Sequence, residues 1–336
     1  MSDPLLNVEG LTTVYRVGGR EFAALNDVSL TCQAGERLGV VGESGSGKSV
    51  LALSLLNIIR APGRITAGRV VFADQDILHL RRRELRRVRG GGMSLIFQDA
   101  AASLTPVYPV GVQLGEIIRT HLSVTRAEAA RQSVQLLGQV GIPEPERRLR
   151  AFPSELSGGM KQRVAIAMAL ASEPSLLIAD DPTSAVDVTI QAQILELLRH
   201  LVDERQLALI YISHDFRVVS TICERLLILY AGGIVEQGDA PSVFNAPRHP
   251  YTDALLACSP SVEEYRFPFA TLPGNPPNPR DDPIVGCQFH PRCPRALDVC
   301  ARETPHEESP TAGHSYRCWS PLDAPGRGSS AAASAP

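Results

Sequence analysis

Gly42-Glu43-Ser44-Gly45-Ser46-Gly47-Lys48-Ser49 lies between the apolar run Arg37–Val41 and a helical pattern over Ser49–Ile59. Its spacing is G-x-x-x-x-G-K-[ST], in the strand-then-helix setting that this pattern requires. Glycines at Gly42, Gly45 and Gly47 allow backbone N–H groups to close around phosphate oxygens. The start of the helix adds a positive partial charge. Lys48 is placed to reach β- and γ-phosphates, and the Ser49 hydroxyl to ligate Mg²⁺. Ser44 and Ser46 complete the cradle. Lys48 and Lys161 are the only lysines in a chain with 33 Lys and Arg residues. A compact ammonium at position 48 therefore departs from the chain's habit of using the planar guanidinium.

Leu176-Leu177-Ile178-Ala179-Asp180-Asp181 is an apolar strand that ends in two carboxylates. The first, Asp180, is placed to hold Mg²⁺, usually through water. Arg37–Val41, Ser94–Phe97 and Ala208–Ser213 read as further buried strands. Helical patterns cover Gly158–Ala171 and Thr189–Arg205. Continuous apolar strands alternating with helices predict an α/β fold built on a mostly parallel sheet covered on both faces. The stretch 99–157 has no strand signal and reads as an inserted helical subdomain. The basic run Arg81–Arg89 reads as a solvated helical face.

Leu156-Ser157-Gly158-Gly159-Met160-Lys161-Gln162-Arg163 lies one helix and one strand ahead of Asp180. It resembles the LSGGQ-type signature of ABC ATPases, with Met160 in place of the glutamine. The resemblance covers about Leu5 to Gln237 and implies that Ser157, Gly158 and Gly159 close over ATP held by an opposite subunit. Gln98 is similar to the family's Q-loop glutamine, which contacts Mg²⁺ and senses the membrane subunit. Ser184-Ala185-Val186-Asp187 resembles the D-loop that crosses the dimer interface. His214 resembles the switch histidine at the γ-phosphate, and Tyr15 the aromatic that stacks on adenine. The implied cofactors are ATP and Mg²⁺.

One departure concerns the chemistry. The family places Glu after the Mg²⁺ aspartate to polarise the attacking water, whereas this chain has Asp181. A carboxylate drawn back by one methylene positions that water poorly, and small misplacements cost about 100-fold. The expectation is slow hydrolysis at the site built on this chain's own loop, which suits a heterodimer with one strong and one weak site.

After Asn245 the chain becomes proline-rich, and Arg248-His249-Pro250-Tyr251-Thr252 resembles the segment that opens the C-terminal extension of oligopeptide and dipeptide importer ATPases. Phe97-Gln98-Asp99 and Ser103–Tyr108 resemble the Q-loop region of the same subfamily, with Ala100 where a proline is expected. Cys287, Cys293, Cys300 and Cys318 follow C-x5-C-x6-C-x17-C, which is not a zinc-ribbon spacing. Four soft thiolates suit an iron–sulfur cluster or zinc. The resemblance favours a 4Fe–4S cluster, with Zn²⁺ as the alternative. Cys32, Cys223 and Cys258 read as buried.

The implied organisation is a P-loop ABC nucleotide-binding domain over 1–245 with a helical subdomain at about 99–157. A small loop-rich extension bearing the four cysteines follows over 246–325, with a disordered tail over 326–336. The implied partners are a second ATPase chain, two transmembrane permeases and an extracytoplasmic binding protein. The net charge of −3 gives no reason to expect nucleic acid. No apolar run reaches the roughly 20 residues that span a bilayer, and the N-terminus lacks a secretory pattern. The expected location is the cytoplasmic face of the membrane, through the permeases. The alternatives are an importer of nickel or another small solute, or a non-transport ABC ATPase acting in DNA repair or translation. The latter usually carries coiled-coil insertions or two cassettes, and neither is present.

Overall fold

The structure is a computed structural model that describes residues 3–184, 186–258, 272–278, 284–311 and 313–323. Ala185 of the D-loop segment and the expected disordered tail lie outside the described residues. The chain divides into two compact units, one built from residues up to 38 together with 48–213, the other from 39–47 together with the chain from 214 onward.

The first unit opens with β1 (Leu6–Val17) and β2 (Arg20–Cys32), an antiparallel hairpin that closes at Val17 opposite Arg20. Next come β3 (Arg37–Val41), whose last residues belong to the second unit, α1 (Lys48–Leu55), β4 (Gly63–Phe72) and β5 (Gln75–Asp76). Strands β2, β1, β4 and β5 form an antiparallel sheet in that order. One face of β1 is buried through Leu6, Val8, Leu11 and Thr13, the alternation expected of a sheet wetted on one side.

Helix α2 (Arg82–Gly91) follows, buried only at Leu85 and Val88; Arg82, Arg83, Arg86 and Arg87 lie at the surface as the sequence implied, whereas Arg89 is half-buried and its guanidinium donates to the Leu56 and Asn57 carbonyls. Strand β6 (Met93–Ile96) precedes α3 (Ala100–Ser103), α4 (Val110–His121), α5 (Arg126–Gln139) and α6 (Pro145–Arg148). Residues 99–157 carry no strand. The unit closes with α7 (Gly158–Leu170), β7 (Leu176–Asp180), α8 (Val188–Arg205) and β8 (Ala208–Ser213). β6 pairs with β7 and β7 with β8, both in parallel. Every residue of β7 and β8 is buried, because helices cover both faces and leave no wet side to alternate with.

The second unit contains α9 (Phe216–Ile222), β9 (Arg225–Tyr230), β10 (Gly233–Asp239), α10 (Ala240–Asn245), α11 (Pro250–Ala257), β11 (Glu308–Thr311) and β12 (His314–Tyr316). β10 lies antiparallel to β9 on one side and to β12 on the other. The segment read as loop-rich therefore returns at its end to extend the sheet. The join is a buried carboxylate. Glu236 on β10 is fully buried and accepts hydrogen bonds from the backbone N–H groups of Arg248 (2.6 Å) and His249 (2.9 Å). It also pairs with the His314 ring at 2.8 Å. His249 then caps α11, its Nδ1 accepting the Tyr251 N–H at 3.1 Å, and Pro250 takes the first helical position, where no donor is needed. Among the described residues no helix is long and apolar enough to cross a membrane.

His249 is buried, and burial lowers its pKa from 6.5 to about 4 despite the nearby Glu236 carboxylate. Between those values the unfolded chain binds a proton that the folded chain refuses. This contribution is therefore complete above about pH 6.5 and is lost as the pH falls toward 4, by roughly 3 kcal/mol. Urea unfolding of the parent and of His249→Gln across this range should show a difference that shrinks by about that amount on acidification. A constant difference would contradict the assignment.

Candidate functional site

The loop Gly42–Gly47 belongs to the second unit. Its shape depends on missing side chains. Gly47 has φ +105, and a Cβ on Gly42 would run into the Leu229 carbonyl oxygen. The Ser46 N–H donates to the Glu43 carbonyl at 3.1 Å, and the Gly232 N–H donates to the Ser46 carbonyl at 2.9 Å. The Ser46 hydroxyl is buried without a hydrogen-bond partner among the described residues. A buried polar atom with no partner is costly unless a ligand supplies one, so the loop is chemically suited to receive acceptor oxygens. Ser44 and Gly45 are exposed at the loop tip.

In the first unit, the chain running out of this loop opens α1 at Lys48. The Ser49 hydroxyl hydrogen-bonds the Asp180 carboxyl, so two of the three residues expected at Mg²⁺ come together. Burial raises the Asp180 pKa most, the Ser49 bond and Lys48 act to lower it, and Asp181 adds to the rise. A cation at that point would restore the charged form. Two hard oxygens fit Mg²⁺, which takes its remaining ligands from water and phosphate. Among the described residues no group of three or more His, Cys, Asp or Glu side chains is arranged to hold a metal ion.

Asp181 is buried and accepts a hydrogen bond from the Ser213 hydroxyl at 3.3 Å. Its N–H donates to the Ile212 carbonyl at 2.8 Å, and its φ is +45. Aspartate enters this left-handed region more readily than most residues. The sequence reading singled out neither Ser213 nor this backbone state.

The other expected residues occupy defined local roles. Ser157 is exposed and caps α7, accepting the Met160 N–H at 3.3 Å. Gly158 stands in open space, and a Cβ on Gly159 would press on Ile190 at 3.0 Å. Asp187 caps α8 through the Ile190 N–H at 2.9 Å. Gln98 is exposed just after β6. The Tyr15 ring stacks on Phe22 at 6.0 Å and closes over Gly63. His214 is exposed after β8, at the start of the second unit's main segment.

The expectation of a preformed metal site at the four cysteines is not met, since no such arrangement is present among the described residues. The thiols are nevertheless neighbours: each is within electrostatic reach of the other three. Burial, followed by this mutual influence, raises Cys287 and pushes Cys318 up to about 12. Cys32 and Cys223 are buried as expected, whereas Cys258 is only half-buried.

Residues 25–184 match the family described as "ABC transporter", and residues 235–300 match "Oligopeptide/dipeptide transporter, C-terminal region". The chain is 44% identical over 323 residues to the dipeptide transport ATP-binding protein DppD of Escherichia coli, covering 96% of this chain and 98% of that protein. It is 45% identical over 322 residues to the oligopeptide transport ATP-binding protein OppD of the same organism, covering 96% and 95%. Among solved structures, the dimeric ATP-binding cassette MJ0796 in a post-hydrolysis state with ADP and Pi aligns with a TM-score of 0.62 at 29% identity. That alignment covers 70% of this chain and 98% of the other.

Asp180→Asn keeps the shape and the hydrogen bond to Ser49 but removes the charge. Magnesium-dependent ATP hydrolysis should fall by roughly 100-fold or more, while metal-free nucleotide binding and circular dichroism stay near the parent. Undiminished hydrolysis would remove Asp180 from the site.

Proposed function

The chain belongs to the ABC transporter ATP-binding family, and on that premise we propose that it is the ATP-hydrolysing subunit of an importer of dipeptides or oligopeptides. The observation that carries this reading is the extent of the likeness: it runs through the extension as well as the cassette, and both relatives carry it along nearly their whole length. In functional terms residues 1–245 form the nucleotide-binding domain and 246–325 the importer extension.

Two cassettes grip two ATP molecules head to tail. The glycine loop, Lys48 and Ser49 of one chain hold a triphosphate, and Ser157, Gly158 and Gly159 of the opposite chain close on its γ-phosphate. The exposure of Ser157 and the open space beside Gly158 support this role, because no described atom from elsewhere in the chain lies within 4 Å of where a Gly158 Cβ would stand. Magnesium, when bound, neutralises phosphate charge and orients the oxygens. Gln98 and His214 contact the metal and γ-phosphate regions, Asp187 crosses the interface and Tyr15 stacks on the base. ATP contacts that exist only in the closed pair drive closure, and hydrolysis reopens it.

Membrane permeases dock on the first unit beside Gln98. A cleft of about 370 Å³ opens there, lined by Phe97, Met93, Ile117, His121, Ala165 and Met168. Phe97, Val107, Tyr108 and Val112 are exposed apolar side chains on the surrounding segments. Such a patch on a polar surface fits a partner helix. The chain thus sits at the cytoplasmic face of the membrane, and an extracytoplasmic binding protein delivers the substrate. Purifying the complex and identifying the ligand on its binding protein tests the assignment. A peptide is the expected result, and nickel or another small solute would overturn the substrate class.

Asp181 makes this chain's own site the slow one of a heterodimeric pair. Its buried bond to Ser213 and its left-handed backbone support a restrained carboxylate. Asp181→Glu should raise the ATPase rate of the complex about 10-fold or more. An unchanged or reduced rate would refute the slow-site reading.

Cys287, Cys293, Cys300 and Cys318 would hold an iron–sulfur cluster. The support is chemical: four soft thiols within each other's reach, whose mutual repulsion on ionisation ligation would relieve. Iron and sulfide analysis of anaerobically purified protein should give about four iron atoms per chain. Stoichiometric zinc, or no metal, would exclude the cluster.

A further inference from the structure

Glu43, the second residue of the phosphate loop, is held from outside the loop by the cysteine-bearing segment, within the second unit. Its carboxylate takes two hydrogen bonds from one guanidinium: Arg292 Nη1 to Oε2 at 2.7 Å and Nη2 to Oε1 at 3.1 Å. The Arg292 side chain is only 4% exposed. Its Nε donates to the Pro273 carbonyl at 2.8 Å and its Nη1 also to the Tyr230 hydroxyl at 3.3 Å. The guanidinium lies over the rings of Tyr230 (5.9 Å) and Phe289 (6.0 Å). All three guanidinium nitrogens are thus engaged, and the pair is a fixed strut.

A second tether reaches the same residue through the backbone. The Glu43 N–H donates to the Tyr251 hydroxyl at 2.9 Å. Tyr251 is fully buried, with its ring 4.5 Å from Tyr230 and 5.3 Å from Phe289. This N–H is thereby already committed to a partner in the extension. The Glu43 carbonyl in turn receives the Ser46 N–H, so fixing Glu43 fixes the turn that faces the ligand.

The sequence placed Tyr251 in the extension motif and Glu43 in the loop, 208 positions apart. We propose that Arg292 and Tyr251 are positioning residues for nucleotide binding, holding Glu43 so that the loop's inward N–H groups are arranged before ATP arrives. The inference rests on the reading of Gly42–Ser49 as a phosphate loop. Arg292 closes the short helical turn His290–Arg292 and immediately precedes Cys293. Any disturbance of that cysteine segment therefore reaches the loop through one side chain.

Mg-ATP titrated against the purified full chain, with displacement of a fluorescent ATP analogue, tests this. Tyr251→Phe removes a single hydroxyl from a ring that stays packed. It should weaken Mg-ATP binding about 5-fold while the unfolding midpoint stays close to the parent's. Arg292→Lys keeps the charge but loses the fork and should cost about 10-fold. Glu43→Gln combined with Arg292→Lys should be little worse than Arg292→Lys alone, because both act through one strut. In the assembled complex the KM for ATP should rise with kcat near the parent value. A purely structural anchor would lower the unfolding midpoint and leave nucleotide affinity intact, and that outcome overturns the proposal. Lys48→Ala separates the two layers. If it abolishes binding while Tyr251→Phe and Arg292→Lys bind as the parent does, only the strut fails. If Lys48→Ala binds as the parent does, the phosphate-loop reading fails and the proposal falls with it.

Discussion

Backbone N–H groups can surround a phosphate only where no side chain blocks them, and that requirement shapes the loop Gly42–Gly47. Gly42 has no room for a Cβ beside the Leu229 carbonyl, and Gly47 adopts a φ of +105 that other residues avoid. Within the first unit Lys48 and Ser49 open α1, and β7 ends where the Ser49 hydroxyl bonds Asp180. The parallel strands earn their uninterrupted apolar sequences by placing such ends reliably.

Much of this was legible in the sequence because the deciding signals are local. Arg37–Val41, Leu176–Asp180 and Ala208–Ser213 are strands with the same bounds in the structure, since fully buried strands leave an unbroken apolar run. The start of α7 at Gly158 follows from Ser157 as its cap. The antiparallel sheet of β1, β2, β4 and β5 was harder to see. It is half-wet, its register slips at bulges after Val8 and Leu11, and a weak alternation interrupted by bulges resembles loop. The return of β12 to β10 was also invisible, because three residues carry too little pattern to announce a strand.

At the candidate site, the residue types of the loop and of β7 pointed to a phosphate and metal chemistry, but the partners that hold them gave no local signal. Nothing near Glu43 in the chain points to Arg292, 249 positions away, or to Tyr251. Ser213 beside Asp181 is another such partner, separated by 32 positions. The four cysteines show the reverse limit. The residue type suggested soft-metal chemistry and the fold makes them neighbours, yet no metal-holding arrangement is present among the described residues, and a ligand set is a matter of tenths of an ångström that spacing cannot encode.

Glu236 bears on how such chains can be recombined. Its buried carboxylate sits on β10, while all three of its described donors come from beyond residue 245. A cassette severed at that boundary would lose all three of those partners at once. A foreign tail grafted there would have to reproduce two amides and an imidazole in register. The junction is thus constrained by one charge whose partners have to be supplied together.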